Sequence, residues 1–167
     1  DVVVSNIQAI GGSLEIESTP GQGSAMILKI PLTLAIIDGI VMEVGKSSFV
    51  VETGSVKEFM RANPEMLVMK PDGQELVMIR GECYPVLRIG DWYKLTDYKA
   101  DLDRGMFVLV EAEGETICLL VDTLVGKQEI VVKPIPDYIK KVKGLSGCTQ
   151  LGDGSIALIL DAVGLIE

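Results

Sequence analysis

The chain has 167 residues, 48% of them hydrophobic, and a formal net charge of −9 from 24 acidic and 15 basic residues. That is enough apolar material for one packed domain or two small ones and excludes wholesale disorder, while the acidic balance repels a phosphate backbone and argues against nucleic-acid binding. The absence of histidine excludes a phospho-accepting His, a Ser-His-Asp triad and any His-built metal site within the chain.

Residues 1–10 place Val3, Ile7 and Ile10 at helical spacing, and Gly11 and Gly12 follow as a helix stop. LEIES, a TPGQGS turn and AMILKIP read as a hairpin whose second strand ends at Pro31. From Leu34 onward, short apolar stretches rich in Val and Ile alternate with turn signals. They predict strands over 36–44, 48–51, 74–80, 84–89, 106–111, 116–121, 129–133 and 156–160. Turns fall at Gly45-Lys46-Ser47, Glu113-Gly114-Glu115 and Gly152-Asp153-Gly154. Residues 54–62 are predicted as a short helix with Val56, Phe59 and Met60 inward, DYIKKV after Pro136 as another, and 161–166 as a closing helical turn. The polar stretch 95–104 divides two β subdomains of similar size. No residue-level repeat relates the halves, although a shared fold does not require one.

Several features have plain structural readings. The densest basic cluster, Lys140, Lys141 and Lys143, reads as a solvated face. Cys83, Cys118 and Cys148 are odd in number and widely spaced, which fits neither a disulfide framework nor a CxxC metal site. Reduced, mostly buried thiols of a cytosolic protein are expected. No apolar run approaches the ~18–20 residues of a membrane helix, no signal peptide is present, and the start at Asp1 reads as a piece of a longer protein or a processed product.

Residues 9–31, AIGGSLEIESTPGQGSAMILKIP, run as helix, double glycine, strand, P-G-x-G-[ST] turn and a strand ending in proline. This order resembles the last segment of the ATP-binding domain of histidine kinases. The resemblance implies that Gly21, Gly23 and Ser24 stand where that family's glycine loop lies beside the nucleotide phosphates; PGQGS also suits an ordinary hairpin turn. The family's asparagine-bearing, magnesium-holding helix and its adenine-reading DxGxG motif are absent from this chain. The remnant is therefore expected to bind neither ATP nor Mg, which the resemblance assigns to the parent kinase. No cofactor or metal is expected in the chain itself.

PLTLAIIDGIVMEVG, IRGECYPVLRIG, LLVDTLVGKQEIVVKPI and GLSGCTQLGDGSIALILD follow in that order to the end of the chain. They resemble the regulatory domain of the chemotaxis histidine kinase family, CheA, whose fold is shared by the coupling protein CheW. The resemblance implies a mainly β fold over 32–167: two intertwined five-stranded, SH3-like barrels, roughly 34–98 and 99–167, after an ATPase remnant at 1–31. It also implies binding to CheW and to the cytoplasmic tips of chemoreceptors, so that receptor state controls the kinase. A cytoplasmic location at membrane receptor arrays, without membrane insertion, follows from the same resemblance. So does a parent kinase that dimerises through a domain absent here. The alternative is a stand-alone CheW-type coupling protein, which carries no such tail.

Matching the order of elements places the CheW-contacting strand at Phe49, Val50, Val51 and Thr53, with departures from the family at Glu52, where a Pro commonly stands, and at Gly54. Side chains alternate along a strand, so Val51 and Thr53 are expected outward and Val50 inward. The same residues also suit a plain core strand. The family pattern pairs Glu58, on the expected short helix, with Arg80 of the RGE motif. Asp122 and Asp161 read as turn caps, Gly126 as a bulge or turn and Gly81 as a tight backbone position. For catalysis, Cys83 and Cys148 lack a histidine to activate them. The pairs Asp101 and Asp103, and Glu111 and Glu113, have the i, i+2 spacing of solvated or mutually repelling carboxylates. A binding scaffold is expected, not an enzyme.

Overall fold

The computed structural model describes residues 13–30, 35–98, 102–135 and 142–166, together with Val3, Val4 and Ile7. Expectations for Ile10, Gly11, Gly12, Pro31, Asp101, Lys140, Lys141 and the helix after Pro136 lie outside the described residues. The chain forms two compact units, residues 1–36 and 37–167. In the first, Val3, Val4 and Ile7 are helical. Strands β1 (Ser13–Thr19) and β2 (Gly23–Lys29) pair antiparallel around the TPGQG turn. Leu14, Ile16, Met26 and Leu28 share one face of this hairpin, and Ile16, Met26 and Leu28 are exposed.

The second unit is built from strands β3 (Ile36–Val44), β4 (Ser47–Glu52), β5 (Val56–Arg61), β6 (Leu67–Met69), β7 (Glu75–Ile79) and β8 (Glu82–Arg88). A short helix α1 (Ile89–Trp92) follows, then β9 (Met106–Ala112), β10 (Glu115–Val121), β11 (Thr123–Val131), β12 (Leu145–Gln150), β13 (Ile156–Leu160) and α2 (Ala162–Ile166). Residues 54–62 are not a helix. A 3-10 turn at Thr53–Ser55 leads into β5, where Val56, Glu58 and Met60 are half-buried and Lys57, Phe59 and Arg61 exposed. Val56, Phe59 and Met60 fit a helical period, but the period of two wins once β5 pairs with β9.

The sheets do not follow the two halves of the chain. One is six-stranded, β5-β9-β10-β8-β7-β6, and the other five-stranded, β11-β3-β4-β13-β12. Each takes the leading hairpin of one half, β3-β4 or β9-β10, and adds strands from the other half. In both, the hairpin's second strand runs parallel to a strand of the other half: Phe49 beside Leu158, and Cys118 beside Val86. Neither sheet is built from residues 34–98 or 99–167 alone, because the halves interleave: β5 joins β9 and β10, and β11 joins β3 and β4. At the two edges of the five-stranded sheet, Lys133 and Cys148 exchange both backbone hydrogen bonds, at 2.8 and 2.9 Å, so the sheet curls back on itself. Gly147 permits this closure, since a Cβ there would stand 2.8 Å from the Lys133 carbonyl oxygen.

Three apolar layers result. The central one joins both sheets, with Met42, Val44, Phe49 and Val51 facing Val108, Val110, Leu119 and Val121. Val41, Val50, Ile130 and Ile159 fill the far side of the five-stranded sheet; Val77, Ile79, Phe107 and Leu109 fill that of the six-stranded one. Strands buried on both faces read as continuous apolar runs, which is why FVV and FVLV lack polar alternation. Two carboxylates tie the β3–β4 turn across the unit. Asp122 Oδ2 accepts from Gly45 N at 2.6 Å and Asp97 Oδ2 from Lys46 N at 3.0 Å, while Asp122 N donates to Glu43 O.

Candidate functional site

The strand expected to dock a partner lies inside the unit. Phe49 and Val51 are each 1% exposed and Val50 is fully buried. The outward placement of Val51 is corrected: alternation does hold along β4, but both of its faces are covered. Phe49 and Val51 turn to the central layer and Val50 to the outer one. Tyr93 stacks on Phe49 with ring centroids 5.5 Å apart, and its hydroxyl donates to Gly144 O at 3.1 Å. Burial pushes that phenol up to about 12. Thr53 is half-buried, and its Oγ1 has no hydrogen-bond partner among the described residues.

Gly21 and Gly23 form the turn of the first unit with φ of 79° and 107°, and Ser24 Oγ lies 2.8 Å from Ser18 Oγ across the hairpin. Arg80 and Gly81 occupy the β7–β8 turn with φ of 51° and 87°. The two-residue RGE turn thus uses the left-handed conformations that such hairpins require. It carries the Arg80 side chain to Glu58, with Nη2 to Oε2 at 2.9 Å. Glu58 comes from β5 and not from a helix. The guanidinium is 81% exposed, so solvent screens most of this pair. Glu75 and Arg88 form a better sheltered, bidentate pair at 2.6 and 2.9 Å. The hydrogen bond from Arg88 holds the Glu75 carboxyl below its usual range.

What unit 37–167 does expose is a sheet face. Register places Val68, Leu76 and Pro85 in one row across β6, β7 and β8, and Met78 beside Cys83 in the next. Val68 and Met78 are 41% and 48% exposed, and Cys83 is exposed. This face continues the central layer, because Pro85 and Leu87 lie on the same side of β8 and Leu87 packs into that layer. The opposite side of β7, Val77 and Ile79, is core. The signal for this surface was present in ELVMI, an apolar run with both faces to cover. β6 was missed because three residues, LVM, are too short to show a period.

Two grooves open between the sheets at equivalent places. One, about 330 Å³, lies between the start of β3, the end of β4 and the end of β13, and carries Glu52 and Asp161. The other, about 370 Å³, is lined by Arg61, Arg104, Met106, Asp122, Thr123 and Leu124. Among the described residues, no group of His, Cys, Asp and Glu is placed to hold a metal ion, and no helix is long and apolar enough to cross a membrane. An interleaved pair of β-sheets with an uncovered apolar face defines the class, a mainly β domain whose two halves share their sheets.

The sequence model of the CheW-like domain family matches residues 38–167. The chain is 36% identical over 165 residues to chemotaxis protein CheA of Klebsiella aerogenes, covering 99% of this chain and 25% of that protein. To CheA of Bacillus subtilis it is 32% identical over 166 residues, with the same coverage of 99% and 25%. It thus spans about a quarter of the length of these relatives. The fold is similar to that of the scaffolding protein TtCheW from Thermoanaerobacter tengcongensis, with TM-score 0.65 and 16% identity, over 75% of this chain and 88% of that one. The chain belongs to the CheW-like domain family.

Proposed function

We propose that this chain is the receptor-coupling region of a chemotaxis histidine kinase. It docks the coupling protein CheW and the cytoplasmic tips of chemoreceptors, at the membrane arrays on the cytoplasmic side, and so relays receptor state to the kinase. ATP and Mg belong to the rest of that kinase, as does the domain through which it dimerises. Residues 1–31 are the last segment of its ATP-binding domain; the likeness to CheA, which extends over 99% of the chain and so includes this segment, favours this over a stand-alone coupling protein.

The observation that carries the docking role is the apolar face of Val68, Leu76, Met78 and Pro85, on which Val68 and Met78 are exposed and Leu76 and Pro85 half-buried. Apolar side chains that continue a core layer into solvent are stabilised by a partner that covers them. At ~25 cal/mol per Å² a few such side chains supply the centre of an interface. This face takes the place of Phe49, Val51 and Thr53 as the CheW-docking surface. The test is calorimetric titration of the chain with CheW of the same organism. Val68→Asp and Met78→Asp should each cost about 2 kcal/mol or more of binding, roughly 30-fold in Kd, with an unchanged melting temperature. Parent-like affinity in both variants would remove this face from the interface.

A further inference from the structure

We infer that the groove between Arg61 and Arg104 is a docking slot for an acidic protein segment, a site separate from the Val68–Met78 face. The interleaved topology makes the two inter-sheet grooves equivalent. Each opens where the leading hairpin of one half meets the third strand of the other. In one, the β3 start and the β4–β5 junction meet the end of β11 at Val132. In its counterpart, the β9 start and the β10–β11 junction meet the end of β5 at Arg61. Their charges are opposite. The first carries Glu52 and Asp161, and a cavity sharing Ala112 and Val163 with it adds Glu113 and Glu115. The second carries two exposed arginines that form no ion pair among the described residues. Among the described residues lining it, the carboxylate is that of Asp122, which is engaged by the Gly45 N–H at 2.6 Å.

Two guanidinium groups with no ion pair among the described residues are conspicuous in a chain of net charge −9. Guanidinium forks bind carboxylates in bidentate fashion and shed water more readily than ammonium groups. The surroundings suit a peptide more than a free anion. Met106 and Leu124 line the groove, and Phe59, 52% exposed, lies on the same face of β5 as Arg61, one i, i+2 step of about 7 Å away. Among the described strands β5 is also at a sheet edge, the place where an extended segment pairs. The occupant is therefore an acidic segment that also carries apolar side chains: carboxylates to Arg61 and Arg104, an apolar group to Phe59 and Leu124.

Fluorescence anisotropy of the full chain with a dye-labelled peptide of alternating Glu and Leu tests this, with a Lys and Leu peptide and inorganic phosphate as the other arms. Saturable binding of the Glu peptide is expected. It should weaken about tenfold or more in the double variant R61E and R104E, with the melting temperature unchanged, and stay the same in Glu52→Gln at the equivalent groove. Phe59→Ser should weaken it without any change in the salt dependence. The inference is overturned if the Glu peptide fails to bind at millimolar concentration, if it binds the double variant equally well, if the Lys peptide binds the parent as tightly, or if phosphate displaces it completely, which would mark a simple anion site.

Discussion

Val51 is the position where burial and docking make opposite demands. Its side chain is 1% exposed in the central layer, so shortening it to Ala removes two methyl groups at ~0.8 kcal/mol each plus a cavity contribution, about 2 kcal/mol in all. For a unit of this size that lowers the melting temperature by roughly 6–10 °C. Val51→Asp adds a carboxylate with no partner in an apolar layer, at a desolvation cost of several kcal/mol. The total is comparable to the 5–15 kcal/mol that holds an ordinary domain together, so Val51→Asp should be unfolded or insoluble. Val50→Asp, fully buried on the other side of the same strand, should behave alike. Circular dichroism melts of Val51→Ala and Val51→Asp beside the parent decide the matter. A Val51→Asp protein that melts within about 2 °C of the parent would refute the two-sided burial of β4 and restore Val51 to the surface.

Three further outcomes follow from the same layers. Thr53→Val replaces an unpartnered buried hydroxyl with a methyl group and should leave stability unchanged or raise it by up to ~1 kcal/mol in urea unfolding; a loss of that size would show that the hydroxyl has a partner. Because the folded pKa of Glu75 is depressed, its contribution is present above the unfolded value of about 4.3 and lost as pH falls through the folded one. Glu75→Gln should therefore cost ~1–3 kcal/mol at pH 7 and less at pH 3, and an equal gap at both would argue against the pair. Burial pushes the Cys118 thiol up to about 12, so a thiol reagent at pH 8 should label exposed Cys83 quickly and Cys118 only after denaturation.

Where side-chain patterning is local, the elements were legible. Strands 36–44 and 156–160 and the turns at Gly45, Gly114 and Asp153 stand where composition puts them. β12 was not legible, because LSGCTQ has little β-branched or alternating character and is held in place by its pairing with β13 and by the Lys133 bridge. The region of β5 misled because Val56, Phe59 and Met60 satisfy a helical period, whereas Glu58, a charged residue at a half-buried position, hides the alternation. The docking strand misled for a different reason: whether a second face is covered depends on strands from the other half of the chain, about which FVV says nothing. Topology alone also reveals that the two inter-sheet grooves correspond, and with that the opposite charges of Glu52 and Arg61.

The exchange of strands between halves also sets the order in which the molecule can be made. Phe49 cannot settle beside Leu158 until roughly a hundred further residues have left the ribosome, and until then β4 offers a bare edge. The six-stranded sheet has all its strands once β10 has emerged, whereas the five-stranded sheet waits for β12 and β13. A chain stopped before Ile156 would lose an edge partner from both β4 and β12 and with it the closure of the five-stranded sheet. Strand β13, seated between β4 and β12, is thus the keystone of the five-stranded sheet.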